Sequence, residues 1–274
     1  MQIEGGSAAC GYFRATVAYD GTDFLGFQWQ SAGRTVQGTL EAALLQVTQS
    51  ASRVVGSGRT DSGVHAQGQV IAFHATWRHS LADLQRALNA VLPADVVLWD
   101  LYPAPADWHP RFSALWRHYR YTVLNQLLRS PLDRRYVHQV AGPLDLAAMQ
   151  AAAALLVGEH DFAGYGQPTQ GDSTVREVFD ARWHMDGPRF TFDVVANAFL
   201  RGMVRRLVGT LLYVGGGVWP VERVAEILAS RDRAQAAPLA PACGLCLMHV
   251  EYDTRPEDLT GATWIKEQGR RENL

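Results

Sequence analysis

The sequence predicts an α+β protein made of two βαββαβ units, and three observations carry that prediction. Apolar residues recur every second position in some runs and with the 3.6-residue period of a helix in others. These runs follow the order β-α-β-β-α-β through roughly the first hundred residues, and the same order then repeats to about residue 252. With 274 residues, 47% of them apolar, the chain can bury a sizeable core.

The first strand is predicted over residues 12–19, where Phe13, Ala15, Val17 and Tyr19 alternate with Arg14 and Thr16. After the turn signal Asp20-Gly21-Thr22-Asp23, residues 35–49 place Val36, Leu40, Ala43, Leu44 and Val47 on one helical face, with Thr35 as cap. A short strand over 53–56, a glycine-rich loop and a strand over 69–74 follow. Ser80 caps a helix that runs to Val91 and stops at Leu92-Pro93, and residues 96–102 return as a strand. In the second half, strands are predicted over 115–124, 176–185 and 189–196, the last two joined by a turn at Asp186-Gly187-Pro188. Helices are predicted over 144–157, 199–214 and 221–229, with Gly215-Gly216-Gly217 as a left-handed stop, and a last strand over 244–252. This order defines two ferredoxin-like units with antiparallel sheets, which can join or face each other across a cleft. The expected domains are 1–105, carrying the glycine-rich loop, and 106–254, completing the site, followed by a polar tail over 255–274. The boundary falls in the Pro- and Ala-rich residues 103–110.

The longest apolar run, residues 151–157, is far short of a membrane span, and the first residues lack the basic start and apolar centre of a secretory signal. A cytoplasmic protein with no membrane contact is expected. Cys10, Cys243 and Cys246 are too few for a disulfide framework. Cys243-Gly244-Leu245-Cys246 has the spacing of a metal half-site, but no second pair exists and His249 is the only further ligand nearby, so no metal is expected. The formal charge of −2 argues against nucleic acid, whereas placement argues for it. Of the 25 basic residues Lys266 is the one lysine, leaving 24 arginines, several of them clustered at 111–120, 129–135 and 201–206. Arginine binds phosphate through a planar fork and stacks on bases, although such near-total use equally fits a GC-rich genome.

The loop Gly56-Ser57-Gly58-Arg59-Thr60-Asp61-Ser62-Gly63 fails both phosphate motifs. Val64-His65 stands where a Walker loop needs Lys-Ser/Thr, and Asp61 stands where a dinucleotide loop needs its third glycine. On spacing alone Asp61 can be a turn cap or a functional acid.

The run Gly58-Arg59-Thr60-Asp61-Ser62-Gly63-Val64-His65-Ala66 resembles the signature of the tRNA pseudouridine synthase A family. Tyr19-Asp20-Gly21-Thr22, Val36-Gln37-Gly38, Leu92-Pro93-Ala94-Asp95, Phe112-Ser113-Ala114 through Arg117 to Tyr121, and Asn197-Ala198-Phe199-Leu200 through Met203-Val204-Arg205 are similar to family segments in the same order. Three positions depart from the family pattern: Phe27 stands for a tryptophan, Gly202 for a histidine and Cys246 for an aromatic residue.

The resemblance implies a pseudouridine synthase fold and a cofactor-independent isomerase. In its reaction the bond from ribose C1′ to uracil N1 breaks, the base turns, and C5 is joined to C1′. It implies Asp61 as the catalytic nucleophile, with two routes open to its carboxylate: attack at C1′ or removal of a sugar proton. Arg205 matches the family arginine that pairs with the aspartate, and a carboxylate covered by a base needs such a cation to stay charged. Tyr119 matches the family tyrosine that stacks on uracil and helps move the C5 proton. Arg59 matches the arginine that fills the gap left by the flipped base. Tyr121, two residues along the same strand, is read as core, and His65 as a packing or hydrogen-bonding residue. The implied partner is the anticodon stem-loop of tRNA, with uridines 38, 39 and 40 as family sites, and the implied assembly is a homodimer. Two other classes lack their marks: no segment has the RNP pattern of an RNA-binding module, and no serine elbow, second carboxylate or His-Glu-x-x-His supports a hydrolase.

Overall fold

The computed structural model describes residues 9–168 and 171–254; the predicted tail over 255–274 lies outside them. The first half runs β1 (Ala9–Tyr19), α1 (Val36–Thr48), β2 (Val55–Gly56), β3 (His65–Trp77), α2 (Leu81–Val91) and β4 (Val96–Pro103). The alternation read in β1 is realised: Phe13, Ala15, Val17 and Tyr19 are buried. Both helix starts are held by the predicted caps. The Thr35 hydroxyl accepts the Gly38 N–H at 3.2 Å, and that of Ser80 accepts the Asp83 N–H at 3.1 Å, contacts worth about 1 kcal/mol each.

The second half runs β5 (Trp116–Asn125), β6 (His138–Val140), α3 (Leu146–Ala154), β7 (Gly158–Asp161), β8 (Val175–Asp186), β9 (Arg189–Ala196), α4 (Met203–Gly215), α5 (Arg223–Ser230) and β10 (Leu245–Glu251). β8 and β9 form the predicted hairpin, closed by the Asp186–Arg189 pair across Gly187-Pro188. β6 and β7 were not expected. Both are short and polar, and neither shows a period.

Within the first half the neighbours run β4-β1-β3-β2, and within the second β10-β5-β9-β8. In both, the fourth strand of the unit lies beside the first and the third beside the second. The expectation of purely antiparallel sheets needs correction: β10 pairs with β3 in parallel, through Cys246–His65 and Leu247–Ala66, so one mixed sheet runs β4-β1-β3-β10-β5-β9-β8-β7. The physical reason is the shortness of β2. It covers only Ile71 and Ala72 on the outer edge of β3, leaving the edge near His65 with unpaired N–H and C=O groups that β10 satisfies. β2 and β10 therefore share one edge of β3, and the loop joining β2 to β3 emerges at the fork between them. One hydrophobic cluster continues through both halves, from Ile71 and Phe73 to Tyr121, Phe192 and Leu247.

Two elements start four residues from their expected positions. β3 begins four residues before 69, continuing through Gln67-Gly68. Gly68 is needed there because a Cβ would lie 2.3 Å from the Met248 carbonyl of β10. α4 begins at Met203 rather than 199, since Arg201 forms a backbone bridge to Gln167 and Gly202 turns left-handed at φ +72°. At the other end of α4, Gly217 is the left-handed residue of the three glycines. Among the described residues no helix is long and apolar enough to cross a membrane.

Candidate active site

Asp61 sits in the loop at the fork, and the loop is fastened residue by residue. The Tyr19 and Thr60 hydroxyls lie 2.8 Å apart in the core, and the Phe27 N–H donates to the Thr60 carbonyl at 3.1 Å. The Ser62 hydroxyl and the Gly63 N–H both donate to the Phe24 carbonyl, at 3.1 and 3.3 Å. On the other side the buried Gln69 amide donates to the Gly58 carbonyl at 2.9 Å and accepts from the Ser57 hydroxyl at 2.5 Å. Gly26, at φ +89°, allows residues 24–27 to lie against the loop: a Cβ there would stand 2.7 Å from the Thr60 carbonyl oxygen. Thr60 is thus buried and Ser62 and Gly63 are hydrogen-bonded on either side of Asp61, whose own side chain remains 35% exposed.

Arg205, in the first turn of α4, crosses from the other half. Its Nη1 donates to Asp61 Oδ2 at 3.2 Å, and its Nε donates to the Ala240 carbonyl at 2.7 Å. The Ala240 N–H in turn donates to the Arg205 carbonyl at 3.0 Å, so side chain and backbone are both pinned to one residue. With partners 18% and 35% exposed, the ion pair is worth only about 0–1 kcal/mol to the fold. Its effect is to orient the carboxylate and to keep a cation beside it.

Tyr119 is buried on β5, with Phe199 edge-on to its ring at 5.0 Å between centroids. Burial pushes the Tyr119 hydroxyl above its ordinary value. Arg117 opposes this, and the charge of Asp61 adds to it. The residue is therefore a neutral phenol that can donate a proton. Arg59 is exposed on the Asp61 loop and forms no ion pair among the described residues.

Asp61, Arg59, Tyr119 and Arg205 all line one cleft of about 1070 Å³. From the first half Arg53 joins Arg59 on its walls. From the second come Arg111, Arg117, Arg176, Arg201, Arg205, Arg206 and Arg233. Asp61 is the single acid among these described lining residues, so nine guanidinium groups face one carboxylate. The chain's net charge of −2 conceals this concentration. Such a cavity attracts a polyanion, and the aromatic and apolar floor formed by Phe27, Tyr119, Leu245 and Leu247 suits a base ring.

His65 is turned away from Asp61: its Nδ1 accepts the Gly21 N–H at 3.0 Å and its Nε2 donates to the Arg135 carbonyl at 2.9 Å, tying together three segments. Tyr121 is fully buried and donates to the Pro241 carbonyl at 2.8 Å, in keeping with its reading as core. Cys243 and Cys246 are free thiols, and no cluster of metal ligands exists among the described residues. Burial pushes the Cys246 thiol up to about 12. Phe27 is buried against Gly56, where it fills the core beneath the loop. Sequence reasoning missed Arg176, which stands alone in the chain, Arg233, which lies outside the three arginine clusters, and Ala240, which acts through its backbone.

Fold and cleft together define a protein built to hold a polyanion against a single oriented carboxylate. The family model described as tRNA pseudouridine synthase matches residues 15–113 and 152–253. A tRNA pseudouridine synthase A of Roseiflexus sp. is 48% identical over 252 residues, covering 90% of this chain and 91% of its own. Proteins of the same description from Chloroflexus aurantiacus and a Geobacter species are 48% and 43% identical, each over 86% of this chain and over 87% and 96% of their own. The chain belongs to the tRNA pseudouridine synthase A family, whose members are isomerases that modify tRNA. Among solved structures, an H/ACA RNP bound to a substrate RNA containing 2′-deoxyuridine is matched at a TM-score of 0.33 and 14% identity, over 73% of this chain and 44% of that one. That likeness is too weak to add to the argument.

Proposed function

We propose that this cleft converts uridine to pseudouridine in the anticodon stem-loop of tRNA, at family positions 38, 39 and 40, with Asp61 as the catalytic nucleophile. The observation that carries the reading is the Asp61–Arg205 pair, a carboxylate with its own cation at 3.2 Å in an otherwise wholly basic cleft. Asp61 takes the sugar carbon, either by attack at C1′ or by removing a sugar proton as the bond to N1 leaves. Arg205 orients the carboxylate and holds a cation beside it. Tyr119 stacks on the uracil and, as a neutral phenol, takes part in moving the C5 proton. Arg59, exposed and unpaired on the same loop, fills the space left by the extruded nucleotide. The reaction breaks and makes one bond to the same sugar carbon and moves one proton, so it balances without oxidant, reductant or cofactor.

The reading takes the chain as two ferredoxin-like units, 1–105 and 106–254, with the site between them, acting as a homodimer. Its test uses unmodified tRNA labelled with tritium at uracil C5. Wild type should release tritium to water, and Asp61→Asn should lower the rate by roughly four orders of magnitude or more while still binding tRNA. Equal release by both proteins would overturn the role of Asp61.

A further inference from the structure

Residues 103–113, the Pro- and Ala-rich stretch between the two halves, are a built wall of the cleft. The Trp108 N–H donates to the Pro105 carbonyl at 3.0 Å, and the Ser113 N–H to the His109 carbonyl at 2.9 Å. His109 Nδ1 accepts the Arg111 N–H at 3.0 Å, and the Tyr252 hydroxyl fastens the Pro110 carbonyl at 2.7 Å. This closed turn displays Phe112, which is 66% exposed although the His109 ring lies 4.4 Å from it and the Arg111 guanidinium 5.5 Å. Its exposed ring, stiffened from behind and lining an arginine-rich cleft, offers a flat apolar face on which a base can stack.

Beside it are two guanidinium groups with no ion pair among the described residues. Arg117 is held by the Ala114, Asn197 and Arg111 carbonyls, so its charge is fixed in place by neutral groups. Arg176 bonds to the Ser173 and Val175 carbonyls, and its buried Nε has no hydrogen-bond partner. Burial lowers the pKa of both from the ordinary arginine value, and nearby Arg111 lowers it further. Uncompensated, desolvated charge with an unused donor is the signature of a group waiting for an anion. Arg117 stands two residues from Tyr119 on β5, on the same strand face and so about 7 Å away.

We propose that Phe112, Arg117 and Arg176 form a second nucleotide subsite, in which an unpaired base next to the target uridine stacks on Phe112 and its phosphodiester is held by Arg176 and Arg117. The proposal rests on RNA being the substrate. It assigns the inter-unit segment to substrate recognition: the target base is taken at Tyr119, and its neighbour is held on the wall, which fixes the strand at two points.

The test measures binding and chemistry separately on an unmodified tRNA transcript. Phe112→Ala should raise Kd about 10-fold, within the 1–3 kcal/mol typical of one base stacked on an aromatic ring. Its effect falls on Kd and KM, not on the single-turnover rate at saturating RNA. Phe112→Leu, which keeps an apolar contact with His109 but has no ring face, should behave like Phe112→Ala. Arg176→Met should reduce the slope of log K against log salt by about one, and Arg176→Lys should restore it. Unchanged Kd in both Phe112 variants, or an unchanged salt slope in Arg176→Met, would overturn the subsite. Wild type that binds with these dependences yet releases no tritium would instead overturn the proposed reaction and leave the subsite standing.

Discussion

The two halves of the sheet share a strand order and differ in one length. In the first, the second strand of the unit, β2, has two residues; in the second its counterpart, β8, has twelve. β8 runs along the whole of β9, and β7 covers the Val175–Val178 end of its outer edge. β2 leaves most of the β3 edge open, and the loop with Asp61 emerges at that opening. The comparison teaches that the same topology, with its second strand cut to two residues, leaves room for an acid-bearing loop at the sheet edge. The second half supplies most of the cleft's cations, the phenol and the wall.

If the halves act only through their joint, the contacts that cross it should matter most. Arg205→Met should slow turnover by roughly 100-fold with little change in Tm, because the pair contributes about 0–1 kcal/mol to stability but orients the carboxylate. Rate loss accompanied by a matching loss of stability would make the contact merely structural. Gly26→Ala probes the first half alone. Its φ of +89° and the 2.7 Å approach to the Thr60 oxygen should cost about 1–3 kcal/mol, and should cut kcat about 30-fold by displacing residues 60–61. Unaltered kcat in a folded protein would show that the loop tolerates movement. Arg59→Ala, which leaves the Asp61–Arg205 pair intact, should lower kcat/KM about 10-fold on duplex-stem uridines and less on a flexible single strand, where extrusion is cheap.

The smallest effect concerns the joint itself. On β10, burial alone would raise the Glu251 carboxyl, but the His249 hydrogen bond and the N–H groups of Asp253 and Tyr252 outweigh it and hold the group at about 2. Its ordinary value is 4.5, so the stabilisation is fully present above pH 4.5 and is lost as pH falls toward 2. Tm should decline across that window, and Glu251→Gln should flatten the decline. The side chain is 20% exposed and still reached by solvent, so a shift of a few degrees is the most to expect.

Much of this was legible because local physics wrote it. β1 announced itself by alternation and the helices by Thr35, Ser80 and Leu92-Pro93, since caps and periods act over a few residues. Asp61 stood out as an acid in a loop that failed every phosphate pattern, and Tyr119 and Arg205 followed from the family segments. The parallel pairing of β10 with β3 joins residues about 180 positions apart and leaves no local trace. Residues 103–113 read as a linker because proline and alanine carry no period, whereas their rigidity comes from backbone hydrogen bonds that any side chain could accompany. Arg176 had no neighbours in sequence to mark it, since its company is assembled by β8 lying beside β9.

β10 is the last of the described strands to be synthesised, yet it lies between β3 and β5 near the middle of the sheet. Until residues 245–251 have been made, the two halves have no common ladder. A first half made before that point has the Asp61 loop but not the second half's Arg205 that pairs with it. If the proposed function holds, a chain ending before residue 245 should show no activity toward tRNA, because the sheet that joins the two halves is closed by the last described strand.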